Sequence, residues 1–188
     1  MMATRGGMRP RVKSALIVID MLNPYEHEDA GRLMESVAET LPAMLRLVER
    51  ARREDVPVVY VNDNGGDWAA ARPELTERAL AGSAPELVEP IAPPPGTWFI
   101  AKARHSIFYE TQLEYLLRQQ EIARVVLIGQ VTEQCVLYSA LDAYVRHFAL
   151  AVPRDAVAAI YADLADAALR MMDRNMRADV AAADDCAL

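Results

Sequence analysis

The sequence predicts an α/β fold in which helices cover both faces of a mostly parallel sheet, a three-layer α/β/α architecture. Short apolar runs rich in β-branched residues recur without alternation, which is typical of strands buried on both faces. Stretches with helical spacing separate these runs, and such alternation of strand and helix indicates a parallel sheet. The 188 residues fit one domain, and 53% of them are hydrophobic, enough for a full core.

Five strands are predicted from the apolar runs. Pro57 lies near the start of the second run, where its missing N–H group disturbs a sheet least. Gly129 directly follows the fourth run and Pro153 the fifth, so each marks an end. A further short strand is predicted at 178–180. The five runs are 15–19, 56–61, 97–101, 124–128 and 148–152.

Helices are predicted where apolar side chains repeat at three- and four-residue steps. The first spans 31–53, and Pro42 inside it is expected to kink or split the helix. The stretch 64–96 fits the alternation least well, although 73–80 predicts a short helix there. The remaining helices are predicted after Thr111, directly after the fourth strand up to Val145, and over 164–172.

The domain organisation predicted is a single domain over 14–180, with flexible tails at 1–13 and 181–188. The second tail carries Cys186, which we therefore expect to be disordered. The first carries four basic residues, but the apolar run after it is short and ends in Asp20, a poor match to a secretory signal. No run approaches the roughly 20 apolar residues of a membrane span, so a cytoplasmic protein is expected.

The composition excludes several classes of function. The net charge of −7 disfavours nucleic acid and anionic membranes as partners. Two cysteines are too few for a disulfide scaffold or a cysteine-based zinc site. No glycine-rich phosphate or dinucleotide motif follows the first strand. A small-molecule substrate remains the expected partner.

Chemically reactive side chains follow three of the predicted strands. Asp20 comes directly after the first strand and Lys102 directly after the third, while Cys135 follows the fourth across a polar turn. In an open parallel sheet, ligands bind outside the carboxyl ends of the strands. We therefore expect these three side chains to meet at one edge of the sheet.

Cys135 is predicted to be a nucleophile at the start of a helix. A helix N-terminus and a nearby ammonium group both favour the thiolate, so the pKa of this thiol is expected to be lowered. Either Asp20 or His105 is placed to accept its proton, and spacing alone does not choose between them. Taken alone, a single cysteine is more often a small buried side chain.

Four segments together resemble one family, the isochorismatase-like cysteine hydrolases, which include nicotinamidases and carbamoylsarcosine amidases. The resemblance runs from about residue 14 to residue 180. Its most specific part is the Gly-x-x-Thr-x-x-Cys-Val pattern, combined with the first-strand Asp and the third-strand Lys. The segments are 15–23, 58–64, 101–108 and 129–136.

The resemblance implies a Rossmann-like fold with a six-stranded sheet, and commonly a homo-oligomer, a dimer or tetramer. It implies a catalytic triad of Asp20, Lys102 and Cys135, which selects Asp20 over His105 as the base. It also implies a cis peptide bond between Gln130 and Val131. The N–H groups of Val131 and Cys135 would then form an oxyanion hole.

The sequence departs from the family pattern at two places. Leu22 stands where the family often has glutamine. The stretch 62–68 contains no histidine, although nicotinamidases hold a metal there. We therefore expect no metal, no other cofactor, and a substrate other than nicotinamide.

The predicted function is hydrolysis of a small amide, carbamoyl or related acyl substrate at a non-peptide C–N bond, through a thioester. Two alternatives remain open at this point: a vinyl-ether hydrolase of the isochorismatase kind, and an inactive relative that binds a small molecule or a protein. Loops after the strands are expected to line the substrate pocket. The predicted substrate-binding residues are Tyr25, Asn64, Trp68, His105 and Phe108.

Overall fold

The computed structural model describes residues 12–188, which form a six-stranded parallel sheet between two layers of helices. Residues 1–11 of the predicted N-terminal tail lie outside the described residues, and Val12 and Lys13 are exposed. The strands are β1 Ser14–Ile19, β2 Val58–Asp63, β3 Trp98–Lys102, β4 Arg124–Gln130, β5 Ala149–Ala151 and β6 Val157–Ala158. The helices are α1 Ala30–Arg53, α2 Arg72–Leu80, α3 Pro85–Val88, α4 Leu113–Gln119, α5 Leu137–Val145 and α6 Ala162–Met176.

The strand order is β3-β2-β1-β4-β5, and all pairs are parallel. β6 pairs with the carboxyl-terminal end of β4, beyond the point where β5 stops. The chain runs outward from β1 in one direction and then crosses to β4 on its other side. This reversal beside β1 is where open α/β sheets form their ligand crevices.

Alternate residues of β1 face the two helical layers. Leu16 and Val18 pack with α1, α2 and α3, whereas Ile17 and Ile19 pack with α4, α5 and α6. Because both faces are covered, the strand needs apolar side chains at every position, which explains its unbroken apolar run. Within residues 12–188, every helix is too short or too polar to cross a membrane.

The five strands predicted from apolar runs are confirmed, with β2 beginning two residues later than expected. The sixth strand, β6, has only two residues, too few to produce a recognisable pattern. The expected strand at 178–180 does not form. Asp179 instead makes an isolated bridge with Ala151, beside β5.

Pro42 does not split α1, which continues through it for 24 residues. Pro42 and Ala38, four residues earlier, are both exposed. The carbonyl group that loses its helical partner therefore lies where water can reach it. The prediction of a split helix is wrong because the proline falls on the solvent side.

The C-terminal segment is packed against α1, contrary to the predicted flexible tail at 181–188. Ala183, Cys186 and Leu188 are buried in the core that α1 shares with β1. The Arg50 guanidinium of α1 donates to the Ala183 carbonyl at 3.2 Å and also to the Cys186 carbonyl. The segment is polar in its overall composition, but three of its apolar side chains point inward.

Gly129 occupies a position in the sheet where a side chain has no room. Its φ is 116°, and an added Cβ would lie 2.2 Å from the Ile19 carbonyl oxygen. We expect Gly129→Ala to lower the free energy of unfolding by at least about 3 kcal/mol, measured by urea denaturation. Gly31→Ala is the matched control, since an added Cβ there meets nothing within 4 Å. Equal effects of the two substitutions would contradict this account.

Candidate active site

A cavity of about 400 Å³ opens at the carboxyl edge of the sheet, beside the crossover at β1. A second cavity, of about 420 Å³, lies at the opposite edge near the start of β2, and among residues 12–188 no cysteine or histidine lines it. The first is the candidate site because both Asp20 and Cys135 line it. Its lining residues are Asp20, Leu22, Asn23, Pro24, His27, Asp29, Leu33, Asn62, Asp63, Gly65, Gln130, Val131, Gln134, Cys135 and Ile160.

Asp20 is held at the end of β1 by contacts to both neighbouring strands. Its Oδ1 accepts the Asp63 N–H at 2.7 Å, and its backbone carbonyl accepts Gln130 Nε2 at 2.6 Å. The backbone adopts φ of 55°, a region that aspartate tolerates better than most residues. The carboxylate is thus fixed before any substrate binds.

Lys102 is the last residue of β3 and lies opposite Asp63 in the sheet register. Its side chain is 0% exposed. Its Nζ lies 2.9 Å from Asp20 Oδ2, 3.6 Å from Asp63 Oδ2 and 3.6 Å from Cys135 Sγ. The ammonium group therefore hydrogen-bonds Asp20 and Cys135, and Asp63 is a more distant ion-pair partner.

Cys135 lies in a π-helical turn, Thr132–Val136, between β4 and α5. Two side chains of this turn fasten it to the region around β6. Thr132 Oγ1 donates to the Ala158 carbonyl at 2.9 Å, and Glu133 Oε1 accepts the Ile160 N–H at 3.0 Å. The turn places the thiol beside Lys102, at the floor of the cavity.

The electrostatics of the three groups favour an ion pair and a neutral thiol. Burial raises the pKa of Asp20, although the Lys102 ammonium opposes this. Burial alone would lower the pKa of Lys102, but Asp20 and Cys135 outweigh it and raise that pKa. Burial, and then the Asp20 carboxylate, raise the pKa of the Cys135 thiol to about 12.

The expected lowered pKa of Cys135 is therefore wrong for the resting protein. The thiol is buried, beside a carboxylate, and in a π-helical turn rather than at the open end of α5. Desolvation and the nearby negative charge both disfavour the thiolate. Any nucleophilic attack must then be coupled to transfer of the thiol proton.

Two groups are close enough to receive that proton. Asp20 is near enough to hydrogen-bond the thiol, and its raised pKa makes it a stronger base than an ordinary carboxylate. His105 Nδ1 lies 3.7 Å from Cys135 Sγ, on an exposed ring beside Tyr138. Of the two, Asp20 is the one held rigidly and in contact with Lys102.

Backbone N–H groups adjoin the thiol at the end of β4. The peptide bond between Gln130 and Val131 is cis. Across residues 12–188, the Val131 N–H donates to no other protein group. Both Val131 and Cys135 line the cavity, so this donor remains available to a bound molecule.

None of the five predicted substrate-binding residues lines the cavity, although His105 Nδ1 lies 3.7 Å from Cys135 Sγ. Tyr25 is buried, with its hydroxyl 3.4 Å from Gln130 Oε1, and burial raises its pKa to about 12. Phe108 is buried and stacks on Phe148. Asn64 orders its own loop by accepting the Gly66 N–H, and Trp68 is 83% exposed.

The cavity wall contains residues that the sequence reasoning did not select. Asp63 contacts Lys102, Gln130 holds Asp20, and His27 and Asp29 close the side next to α1. Asp63 is the last residue of β2, and Asp20 directly follows β1. Its position at a strand end could therefore have identified Asp63 as a site residue from the sequence. No group of three or more His, Cys, Asp or Glu able to hold a metal occurs within residues 12–188.

Comparison with known proteins identifies relatives along almost the whole chain. The family model described as the isochorismatase domain matches residues 14–185. An isochorismatase family protein of Bacillus subtilis, YaaI, is 30% identical over 90% of this chain and 94% of its own. Maleamate amidohydrolase of Pseudomonas putida is 28% identical over 86% and 79%. The crystal structure of N-carbamoylsarcosine amidase from Thermoplasma acidophilum is 31% identical, with a TM-score of 0.70 over 93% and 99%.

Proposed function

Because the chain belongs to the isochorismatase family, we propose that it is an amidohydrolase that cleaves small, non-peptide amides through a thioester on Cys135. One observation carries the proposal. The buried Lys102 ammonium contacts both the Asp20 carboxylate and the Cys135 sulfur, and this group of three lies at a cavity on the sheet edge. Such an arrangement serves a nucleophile, its base and the cation that stabilises both charges.

The names of the relatives support an amide as substrate. The maleamate amidohydrolase and the N-carbamoylsarcosine amidase are both amide-cleaving enzymes by name, and so are the ureidoacrylate amidohydrolases at 28–31% identity. The cysteine also favours this chemistry, since a thiol adds readily to a carbonyl carbon. Hydrolysis of a vinyl ether needs no thiol nucleophile.

In the first half of the reaction, Asp20 accepts the thiol proton as Cys135 Sγ attacks the amide carbonyl carbon. The C=O bond becomes a C–O⁻ bond, and the oxyanion accepts hydrogen bonds from the N–H groups of Val131 and Cys135. Lys102 stabilises the negative charge while it passes from the carboxylate to the sulfur. Asp20 then gives its proton to the leaving nitrogen, and the C–N bond breaks.

In the second half, water hydrolyses the thioester. Asp20 accepts a proton from the water while the oxygen attacks the acyl carbon. The C–S bond breaks, the acid is released, and the proton returns to the sulfur. The net reaction converts an amide and water into a carboxylic acid and ammonia or an amine, and Asp20, Lys102 and Cys135 end as they began.

Substitution of the proposed base tests the function. Asp20→Asn is expected to lower kcat by about 10²- to 10⁴-fold, measured as ammonia release from a panel of small amides, because the thiol loses its proton acceptor. Asp63→Asn is the matched control. Asp63 also contacts Lys102 but not the thiol, so an effect below about tenfold is expected.

The alternative base gives the opposite pattern. If Asp20→Asn retained most activity while His105→Ala lost it, His105 would be the proton acceptor. Thermal unfolding of each variant separates a loss of chemistry from a loss of fold.

A further inference from the structure

We propose that the cavity selects amides whose remote end is neutral or positively charged, and discriminates against those that carry a carboxylate. This inference rests on the proposed function for its substrate, but its central test does not need turnover. The inference is based on the charged side chains that line the cavity.

Three carboxylates line the cavity: Asp20 at its floor, Asp63 at the end of β2, and Asp29 before α1. Lys102 offsets one of these charges, and its side chain is 0% exposed and already in contact with Asp20 and Cys135. Asp63 lines the cavity and is 46% exposed; its Oδ1 accepts the Gly65 N–H at 2.8 Å, and its Oδ2 lies 3.6 Å from Lys102 Nζ. The cavity is therefore negative overall.

Within residues 12–188, neither an arginine nor a lysine lines the cavity to hold an anion. Two arginines lie next to lining residues, and each also has a partner outside the cavity: Arg32 precedes Leu33, and Arg78 Nη1 lies beside Gly65. The Arg32 guanidinium lies 5.1 Å over the Tyr161 ring, and Arg78 pairs with Asp67 at 2.9 Å. A substrate carboxylate would thus meet carboxylates without the paired cation that such groups need when removed from water.

Three other polar features of the cavity are poorly suited to hold an anion. The N-terminus of α1 faces it, but Asp29 stands at that end and already places a negative charge there. The Asn62 amide is bonded to both the N–H and the carbonyl of Leu22. His27 is exposed, so solvent screens its interaction with a bound anion.

Alkylation of Cys135 with a matched pair of reagents tests the inference directly. Iodoacetamide is neutral and iodoacetate is an anion of the same shape. The full chain with Cys186→Ala leaves Cys135 as the only thiol, and labelling at about pH 9 is followed by intact mass. The ratio of the iodoacetamide rate to the iodoacetate rate is expected to exceed that of free cysteine by about tenfold. A ratio less than about threefold above free cysteine would overturn the inference.

The Asp29→Asn variant shows whether the cavity charge causes the discrimination. The asparagine side chain keeps an oxygen that can accept the Tyr161 hydroxyl, so the substitution removes mainly the charge. It should lower the ratio at Cys135. The same change at Asp173, an exposed residue of α6 outside the cavity, should leave the ratio unchanged. Equal effects of the two variants would contradict the assignment.

Hydrolysis of three amides of similar size adds the substrate-level test. Succinamide ends in a neutral amide, succinamate in a carboxylate, and β-alaninamide in an ammonium group. The expected kcat/KM of succinamate is at least about tenfold below that of the other two. Preference for succinamate would overturn the inference and leave the proposed function intact. Loss of the proposed function would instead show as no hydrolysis of any amide, with the alkylation ratio still high.

Discussion

Replacing Cys135 with alanine is expected to lower kcat/KM for amide hydrolysis by at least about 10⁴-fold. The side chain is the only thiol at the cavity within residues 12–188, and Lys102 and Asp20 are arranged around it. Removing the sulfur leaves the ion pair and the cavity but no atom to form the acyl intermediate. Ammonia release from the best amide of the panel measures the loss.

Cys186→Ala is the control for this experiment. Cys186 is also buried but lies against α1, in the C-terminal segment, so its removal should leave kcat/KM unchanged. Hydrolysis that survives Cys135→Ala would exclude a thioester route. It would favour chemistry that needs no nucleophile, such as cleavage of a vinyl ether.

Replacing Lys102 with methionine is expected to lower the free energy of unfolding by about 3–5 kcal/mol and to abolish measurable turnover. The substitution keeps most of the length of the side chain but removes a cation that is 0% exposed. Asp20 is left buried without its counter-ion. Urea denaturation measures the stability, and ammonia release measures the activity.

The loss of stability in Lys102→Met should increase as the pH rises. Burial already raises the pKa of Asp20, and removal of the ammonium raises it further. A carboxyl group whose pKa is raised by folding contributes stability at low pH and loses it as pH rises through the folded-state pKa. The deficit relative to the parent should therefore be smaller at about pH 5 than at about pH 8.

A double substitution separates the charge from the packing. In Asp20→Asn with Lys102→Met, no buried carboxylate is left facing the missing cation. Much of the stability should return, while activity should not. If the double variant were as unstable as Lys102→Met alone, lost packing rather than the unpaired charge would explain the deficit.

The layered fold was predictable because strands that are buried on both faces of the sheet appear in the sequence as unbroken apolar runs. β1 needs apolar side chains at every position, and its run 15–19 shows this directly. β6 was not predictable, since its two residues are defined by pairing with the end of β4 rather than by their own pattern. That Pro42 would not split α1 was not predictable either, because the exposure of Ala38 depends on how α1 packs.

The reactive groups of the site were predictable from strand ends, but the cavity wall was not. Asp20 and Lys102 each stand where a parallel strand finishes, and β-sheet register brings such residues together. The wall depends instead on how the loops fold back. Phe108 turned inward onto Phe148, while Trp68 turned out to solvent. The loop sequences do not predict the orientation of either side chain.

The state of the Cys135 thiol also required the three-dimensional structure. The sequence placed it after a strand and before a helix, which favours a thiolate. Burial and the Asp20 carboxylate, which follows a strand far earlier in the chain, raise the pKa of this thiol. The Lys102 ammonium lowers that pKa, but burial and the carboxylate together outweigh it.

The most direct test of the thioester mechanism is intact-mass measurement of the protein quenched in acid during turnover of a hydrolysed amide. We expect a mass increase equal to the acyl group, located on Cys135, that disappears when substrate is exhausted. The increase should be absent in Cys135→Ala, which should also be inactive. Steady turnover with no mass increase at any time, together with an active Cys135→Ala variant, would contradict the mechanism.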